Sequence, residues 1–320
     1  MKVAYLFPGQ GSQSVGMGSD LAAHSAAARA VFDEADELLG TKISTLCFYG
    51  PDDALRETIN TQPALFVTSV AALKALEEAG APPPEAVAGH SVGEYAALVA
   101  AGSLSFSAGL HLVVRRAQEM QRAATASPGA MAAILGMSAA DAQAVCRDAE
   151  EQVGKPVDAA NFNGAGQVVV SGDPQAVARA SELAKERGAK RVIALNVSGA
   201  FHSRLMKPAA ETMTHLLEGA QIENARIPVV ANLTADYETL PDDIRANLAA
   251  QIDHSVLWEQ SMARFVADGF DTFVEVGSGE VLTGMLKRLA PDARRYAAGA
   301  PAGVSAVAAL AAGGMDGGNS

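Results

Sequence analysis

The sequence contains 320 residues, of which 49% are hydrophobic and 19% are charged, and it carries a formal net charge of -12. This length allows one large domain or two smaller ones, and the negative charge argues against nonspecific binding to nucleic acid or to an anionic membrane. No apolar run is long enough to span a membrane, and two cysteines provide neither a disulfide framework nor a metal-binding pattern, so we expect a cytoplasmic globular enzyme.

The first part of the chain predicts alternating strands and helices. Residues 3–7 form a short apolar run typical of a buried strand, and a glycine-rich loop follows at residues 8–13. Helices are predicted at residues 25–39 and 61–80, which favours an α/β domain with a parallel sheet. The glycine spacing of the loop fits neither a dinucleotide fingerprint nor a phosphate-binding loop, so we expect its backbone to approach the nucleophile described next.

Residues 86–101 combine the end of an apolar strand, a Gly-x-Ser-x-Gly turn and the start of a helix. Gly89 and Gly93 lack side chains at the positions where a strand that turns directly into a helix brings backbone segments close together. The turn would expose Ser91 beside the N–H groups of the helix N-terminus, which suits a nucleophile. Because so short a pattern can also be a plain turn, this prediction requires a base elsewhere in the chain.

Residues 128–197 have a different pattern from the rest of the chain. Strands and helices are predicted in the order β-α-β-β-α-β, which is typical of a ferredoxin-like unit. The predicted strands are 131–135, 157–161, 167–171 and 191–197, and the helices are 139–151 and 174–187. We therefore predict a small subdomain at 128–197, inserted into an α/β core formed by 1–127 and 198–312. Residues 313–320 are predicted to be a disordered tail.

One of the six histidines is well placed to serve as the base. His202 follows a predicted strand and lies at the start of a segment, residues 201–217, that is predicted to be largely helical. It should therefore lie at the carboxyl edge of the sheet, where α/β active sites assemble. A helix-capping or packed histidine is the alternative. His90 adjoins Ser91, but neighbouring side chains at such a turn point apart, and His111 lies inside a helix and is expected to pack.

Seven short segments, each weak alone, form a specific pattern when they are taken together. In chain order they are FPGQGSQ at 7–13, TQPAL at 61–65, GHSVGE at 89–94, Arg116 with MQ at 120–121, NFN at 161–163, GAFH at 199–202 and EVG at 275–277. Together they resemble the malonyl-CoA:acyl carrier protein transacylases of fatty acid synthesis and the related acyltransferase domains of polyketide synthases. The resemblance extends from Val3 to about Leu289. It implies an α/β-hydrolase-like core with a parallel sheet and an inserted ferredoxin-like α+β subdomain.

The resemblance also implies a covalent mechanism. Ser91 would accept the acyl group and His202 would be its general base. A carbonyl oxygen in the Gln251 region would orient the imidazole, in place of the acid that serine hydrolases normally use. The backbone N–H groups of Val92 and Gln10 would form the oxyanion hole, where each donor contributes roughly 3 kcal/mol.

Substrate recognition is implied by the same resemblance. Arg116 would hold the free carboxylate of a malonyl group, because its planar fork of donors matches a carboxylate; a surface ion pair is the alternative. Phe201 would crowd an α-methyl branch and contribute a modest preference, on the order of 1–3 kcal/mol. The remaining substrate-binding positions are His90, Met120, Asn161 and Asn163. For the two asparagines, turn formation is the alternative role.

The predicted reaction is ping-pong transfer of malonyl from malonyl-CoA to the phosphopantetheine thiol of acyl carrier protein, without a metal or bound cofactor. Basic surfaces could receive this acidic partner, and the candidates are Lys185, Arg187, Lys190 and Arg191, and Arg204 with Lys207. The alternatives are a serine acyl hydrolase or thioesterase on the same scaffold, a trans-acting polyketide synthase acyltransferase, and a noncatalytic docking module for the carrier protein. The sequence leaves the choice between fatty acid and polyketide synthesis open.

Overall fold

The protein is described from a computed structural model that covers residues 1–197 and 199–313. Within these residues the strands are β1 Val3–Phe7, β2 Ala86–Gly89, β3 Ala130–Leu135, β4 Val157–Gly164, β5 Gln167–Gly172, β6 Arg191–Ala194, β7 Val229–Val230, β8 Tyr237–Glu238, β9 Thr272–Glu275 and β10 Arg294–Ala297. The α-helices are α1 Ser19–His24, α2 Ala26–Leu39, α3 Ile43–Tyr49, α4 Asp52–Arg56, α5 Thr58–Glu78, α6 Gly93–Ala100, α7 Phe106–Ala126, α8 Ala139–Val153, α9 Pro174–Glu186, α10 Lys207–Glu218, α11 Pro241–Ala250, α12 Trp258–Ala267, α13 Val281–Leu289 and α14 Pro301–Gly313.

The larger sheet has six strands in the order β10-β9-β1-β2-β7-β8. All neighbours are parallel except β7 and β8, which form an antiparallel pair. Every residue of β1, β2 and β9 is buried, as expected for short apolar strands of a parallel sheet that is covered on both faces. Phe7 of β1 pairs with Gly89 of β2, so the two strands end side by side and the loops that follow them emerge at the same edge.

The smaller sheet has four antiparallel strands in the order β4-β5-β3-β6, the arrangement expected of a ferredoxin-like unit. Alternate residues of β3 point to opposite faces of the sheet and pack in two different hydrophobic cores. Ala132 and Ile134 pack with the residues of α8 and α9, whereas Met131 and Ala133 belong to the core of the larger sheet. The predicted fold class is therefore confirmed, and one face of the small sheet points at the α/β core. The domain limits at 128 and 197 stay a prediction.

Several elements differ from the sequence-based expectations. Helix α5 begins at Thr58 rather than at residue 61 and includes Pro63. The Thr61 hydroxyl donates to the Leu55 carbonyl at 2.6 Å, which ties the first turns of this helix to α4. Short elements such as α1, α3, α4, β8 and β10 were not predicted, since a few residues cannot display a hydrophobic period. The prediction that His111 packs is wrong, because this residue is exposed on α7.

The predicted C-terminal tail lies almost entirely outside the described residues. Gly313 is the last residue of α14, and residues 314–320 are not described. Among the described helices, none combines the length and the apolar character needed to cross a bilayer.

Candidate active site

The turn between β2 and α6 is held in a strained conformation by close packing. Ser91 has a φ of 53°, in the left-handed region that residues with side chains rarely adopt. A Cβ atom on Gly89 would lie 2.0 Å from the backbone of Gly93, and one on Gly93 would lie 2.2 Å from the Phe7 carbonyl oxygen. Both glycines of the motif are therefore required sterically, and the turn presents the Ser91 hydroxyl at the edge of the sheet.

The glycine-rich loop after β1 packs directly on this turn, as the sequence predicted. A Cβ atom on Gly9 would lie 2.5 Å from the carbonyl oxygen of His90. Gln10 and Val92 line the same cavity as Ser91. Within the described residues, the backbone N–H groups of Gln10 and Val92 find no hydrogen-bond acceptor, which leaves them free to bind an oxyanion. Their role stays a prediction.

His202 bridges the serine hydroxyl and the main chain of a distant segment. Its Nε2 atom lies 2.7 Å from the Ser91 Oγ, and its Nδ1 atom lies 2.8 Å from the Gln251 carbonyl oxygen. Because a carbonyl oxygen can only accept, Nδ1 carries the proton and Nε2 is left to accept the serine proton. The acceptor behind the imidazole is a neutral main-chain carbonyl, as the resemblance implied for Gln251.

The environment of His202 keeps its imidazole neutral. Burial lowers the pKa of His202 to about 3, and the positive charge of Arg116 acts in the same direction. A neutral imidazole in contact with a hydroxyl can act as a base at physiological pH. His202 lies before α10 with a φ of 56°, so the predicted helix from 201 to 217 is wrong at its start.

Helix α7 carries Arg116 into the same site. Its side chain is completely buried, so the surface ion pair is excluded. Nη1 donates to the Gln62 Oε1 at 2.7 Å, and Nη2 donates to the Gln251 Oε1 at 2.8 Å and to the Ser91 Oγ at 3.1 Å. All three partners are neutral, and no salt bridge to Arg116 occurs within residues 1–197 and 199–313. A buried guanidinium without an ion pair is suited to binding an anionic group, and this role of Arg116 stays a prediction.

A cavity of about 340 Å³ lies between the two sheets, with Ser91, His202 and Arg116 in its wall. Met131 and Val169 of the small sheet line its opposite side. The cavity also contains all five of the other predicted substrate-binding residues: His90, Met120, Asn161, Asn163 and Phe201.

The two asparagines lie in strand β4, so their alternative role in a turn is wrong. The Asn163 Oδ1 lies 2.9 Å from the His90 Nε2 and accepts a hydrogen bond from this ring nitrogen. Asn161 is buried and pairs with Val256 of the α/β core, so β4 connects the small sheet to the core beside the cavity.

Sequence reasoning missed three polar residues that support the site. The Asn232 Oδ1 accepts from the Ser91 N–H at 2.7 Å, and its Nδ2 donates to the Gly89 carbonyl at 2.6 Å. Glu94 and Gln62 are buried and contact Gln251 and Arg116, respectively. A signal existed for each residue: Asn232 lies two residues after strand β7, at the carboxyl edge of the sheet, and the other two lie in the GHSVGE and TQPAL segments.

Comparisons with known proteins agree with this geometry. A family model of the acyl transferase domain matches residues 4–301. The malonyl CoA-acyl carrier protein transacylase of Bacillus subtilis is 49% identical over 288 residues, which cover 90% of each chain. The crystal structure of an acyl-carrier-protein S-malonyltransferase from Burkholderia pseudomallei has a TM-score of 0.94 and 40% identity, covering 97% of this chain and 100% of the other.

A further solved structure contains a type II polyketide synthase acyl carrier protein in complex with its malonyl-transacylase. The matching chain has a TM-score of 0.94 and 37% identity, and the match covers 97% of this chain and 100% of that one. These similarities show that the protein belongs to the acyl transferase family.

Proposed function

We propose that this protein transfers the malonyl group of malonyl-CoA to the phosphopantetheine thiol of acyl carrier protein, through a malonyl ester of Ser91. One observation carries the proposal: the buried guanidinium of Arg116 lies 3.1 Å from the Ser91 hydroxyl and has neutral partners. In a malonyl thioester a single methylene group separates the carboxylate from the reacting carbonyl. A cation that binds the carboxylate must therefore lie next to the nucleophile, as Arg116 does.

The first half of the reaction forms the ester. The Ser91 oxygen attacks the thioester carbonyl while His202 Nε2 takes the hydroxyl proton, and the backbone N–H groups of Gln10 and Val92 bind the oxyanion. The carbon–sulfur bond then breaks, and the departing CoA sulfur takes the proton from His202. The Gln251 carbonyl holds the imidazolium by its Nδ1–H throughout. Arg116 positions the substrate and offsets the carboxylate charge.

The second half runs the same steps with a different thiol. The thiol of the carrier protein gives its proton to His202 and attacks the malonyl-serine carbonyl, and the proton returns to the Ser91 oxygen when the ester bond breaks. These steps need no metal or redox cofactor. The B. subtilis relative and the complex of a related transacylase with acyl carrier protein support this choice of substrates. A reducing cytoplasmic location is consistent with two buried free cysteines, Cys47 and Cys146.

The basic surfaces predicted from the sequence are only partly available to an acidic carrier protein. Arg204 forms ion pairs with Asp158 at 2.6 Å and with Glu150 at 2.8 Å, and Arg187 pairs with Asp148. The exposed cations left in these surfaces are Lys185, Lys190, Arg191 and Lys207.

The competing hydrolase function is tested by following the fate of the malonyl group. The protein is incubated with malonyl-CoA and holo acyl carrier protein, and malonyl-carrier product and free malonate are both measured. We expect carrier product to predominate and Ser91→Ala to form neither product. Free malonate as the main product, unchanged when carrier protein is added, would identify a hydrolase instead.

A further inference from the structure

The side-chain amide of Gln251 connects the reactive groups of the site. Its Oε1 accepts from Arg116 at 2.8 Å, and its Nε2 donates to the Ser91 carbonyl at 3.0 Å and to the Glu94 Oε2 at 2.8 Å. Arg116 can only donate, whereas the Ser91 carbonyl can only accept. The amide can therefore take one orientation, and a flip would turn its N–H groups towards the guanidinium.

Glu94 supplies a second anchor on the opposite side of the turn. The same oxygen, Oε2, accepts from the backbone N–H of Asn232 at 3.1 Å. The side chain of Asn232 in turn holds the Ser91 N–H and the Gly89 carbonyl. One buried carboxyl oxygen thus binds both Gln251 and Asn232, the two residues whose side chains form hydrogen bonds with the backbone around Ser91.

The other oxygen of Glu94 has no partner among the described residues, and the same is true of Glu238 Oε1. Both carboxyl groups are buried, and Glu238 uses its Oε2 to accept from Asn247 at 2.6 Å. The charged groups that act on Glu94 are Glu238, which opposes its ionisation, and Arg116, which favours it less strongly. Burial and Glu238 raise the pKa of Glu94 to about 8, so a proton can occupy the unpartnered oxygen at neutral pH.

We propose that Glu94 is a positioning residue for acyl transfer. It acts as an uncharged hydrogen-bond acceptor for Gln251 and Asn232, and through these two residues it fixes the relative positions of Arg116, His202 and Ser91. The inference rests on the proposed malonyl transfer. An uncharged Glu94 also leaves the charge of Arg116 available to the substrate carboxylate, because a carboxylate two hydrogen bonds away would compete for it.

Three variants separate positioning from simple structural support. Glu94→Leu removes the acceptor and leaves two buried N–H groups without a partner. Glu94→Gln keeps an acceptor oxygen at the same place and mimics the protonated carboxyl group. Asp36→Leu is the matched control, since it removes a buried carboxyl group that accepts from the backbone N–H and the hydroxyl of Ser44 and does not contact Gln251 or Asn232.

The readouts are the single-turnover rates of Ser91 acylation from malonyl-CoA and from acetyl-CoA, followed by intact-protein mass, together with thermal unfolding. We expect Glu94→Leu to slow malonyl acylation by roughly tenfold to a hundredfold, as a small misplacement of reacting groups does. Its preference for malonyl over acetyl should also fall, because Arg116 loses its fixed partner. Glu94→Gln should restore most of the rate, and Asp36→Leu should keep the preference of the wild type.

The proposal is overturned if folded Glu94→Leu acylates both substrates at wild-type rates, or if Glu94→Gln is as impaired as Glu94→Leu. Absence of any adduct in the wild type would instead refute the proposed function itself. A second measurement does not depend on Glu94→Leu folding. The infrared spectrum of the wild type minus that of Glu94→Gln at pH 7 should contain the carbonyl stretch of a protonated carboxyl group, and a carboxylate stretch in its place would contradict the uncharged state.

Discussion

The Oγ atom of Ser91 lies 2.7 Å from the Nε2 atom of His202, although 111 positions separate the two residues in the sequence. The turn after β2 and the loop before α10 bring them together, each with its central residue in a left-handed conformation. Maintaining two such conformations costs free energy, which the packing of Gly89, Gly93 and the buried imidazole offsets.

Replacement of the base should separate binding from chemistry. His202→Ala should slow acylation of Ser91 by roughly 10² to 10⁴-fold, because the hydroxyl then loses its proton acceptor. Stopped-flow release of CoA measures this rate. Binding of malonyl-CoA, measured by calorimetry on Ser91→Ala with and without His202→Ala, should change little. Full activity of His202→Ala would show that another group removes the proton.

Removal of the guanidinium should affect the two acyl groups differently. Arg116→Ala should reduce malonyl transfer by about tenfold to a hundredfold more than acetyl transfer, since a hydrogen bond to a charged group contributes roughly 1.5–3 kcal/mol. Competition between malonyl-CoA and acetyl-CoA for the same enzyme measures the ratio. Arg116→Lys is the control, because it keeps the charge and loses the fork. An equal loss for both substrates would contradict the assigned role.

The pH dependence of acylation should lack the transition of an ordinary histidine. The pKa of His202 is lowered to about 3 by burial and by Arg116, so the base stays neutral as the pH falls from 7 to 5, a range in which Glu94 also keeps its proton. The single-turnover rate of Ser91 acylation should be nearly constant over this range. This half-reaction is measured without carrier protein, so that titration of the carrier thiol does not contribute. A loss of rate centred near pH 6.5 would show an unshifted imidazole.

The stability of the protein should depend on pH through Glu94. Its pKa is raised from 4.5 to about 8 in the folded protein, so between these values the folded state holds a proton that the unfolded state has released. The resulting stabilisation is complete below pH 4.5 and is lost as the pH rises to 8, by at most about 1.4 kcal/mol per pH unit. Glu94→Gln has no such dependence. The free energy of unfolding of the variant relative to the wild type should therefore rise between pH 5 and pH 8, and parallel curves would contradict the shift.

The sequence predicts the parts of this site that follow local rules. The Gly-x-Ser-x-Gly spacing identifies the strained turn, and the hydrophobic periods identify β1, β2 and the β-α-β-β-α-β order of the small sheet. His202 does contact Ser91, but the strand that precedes it, β6, belongs to the small antiparallel sheet, so the rule for the carboxyl edge of a parallel sheet does not explain its place.

The supporting contacts could not be predicted, because they join residues with no local relationship. Glu94 reaches Asn232 across 138 positions, and Gln251 reaches Ser91 across 160. The expectation for His111 fails because a position inside a helix does not by itself imply packing: this residue lies with Ser107, Gln118 and Arg122 on the exposed face of α7. The orientation of the Gln251 amide follows only from its three partners, which no sequence pattern encodes.

The most direct test of the account is peptide mapping after brief incubation with malonyl-CoA in the absence of carrier protein. We predict one malonyl group per chain on the peptide that contains Ser91, its loss in Ser91→Ala, and its disappearance when holo acyl carrier protein is added. A malonyl group on a different residue, or none on a folded protein that still transfers malonyl, would contradict a serine-linked mechanism.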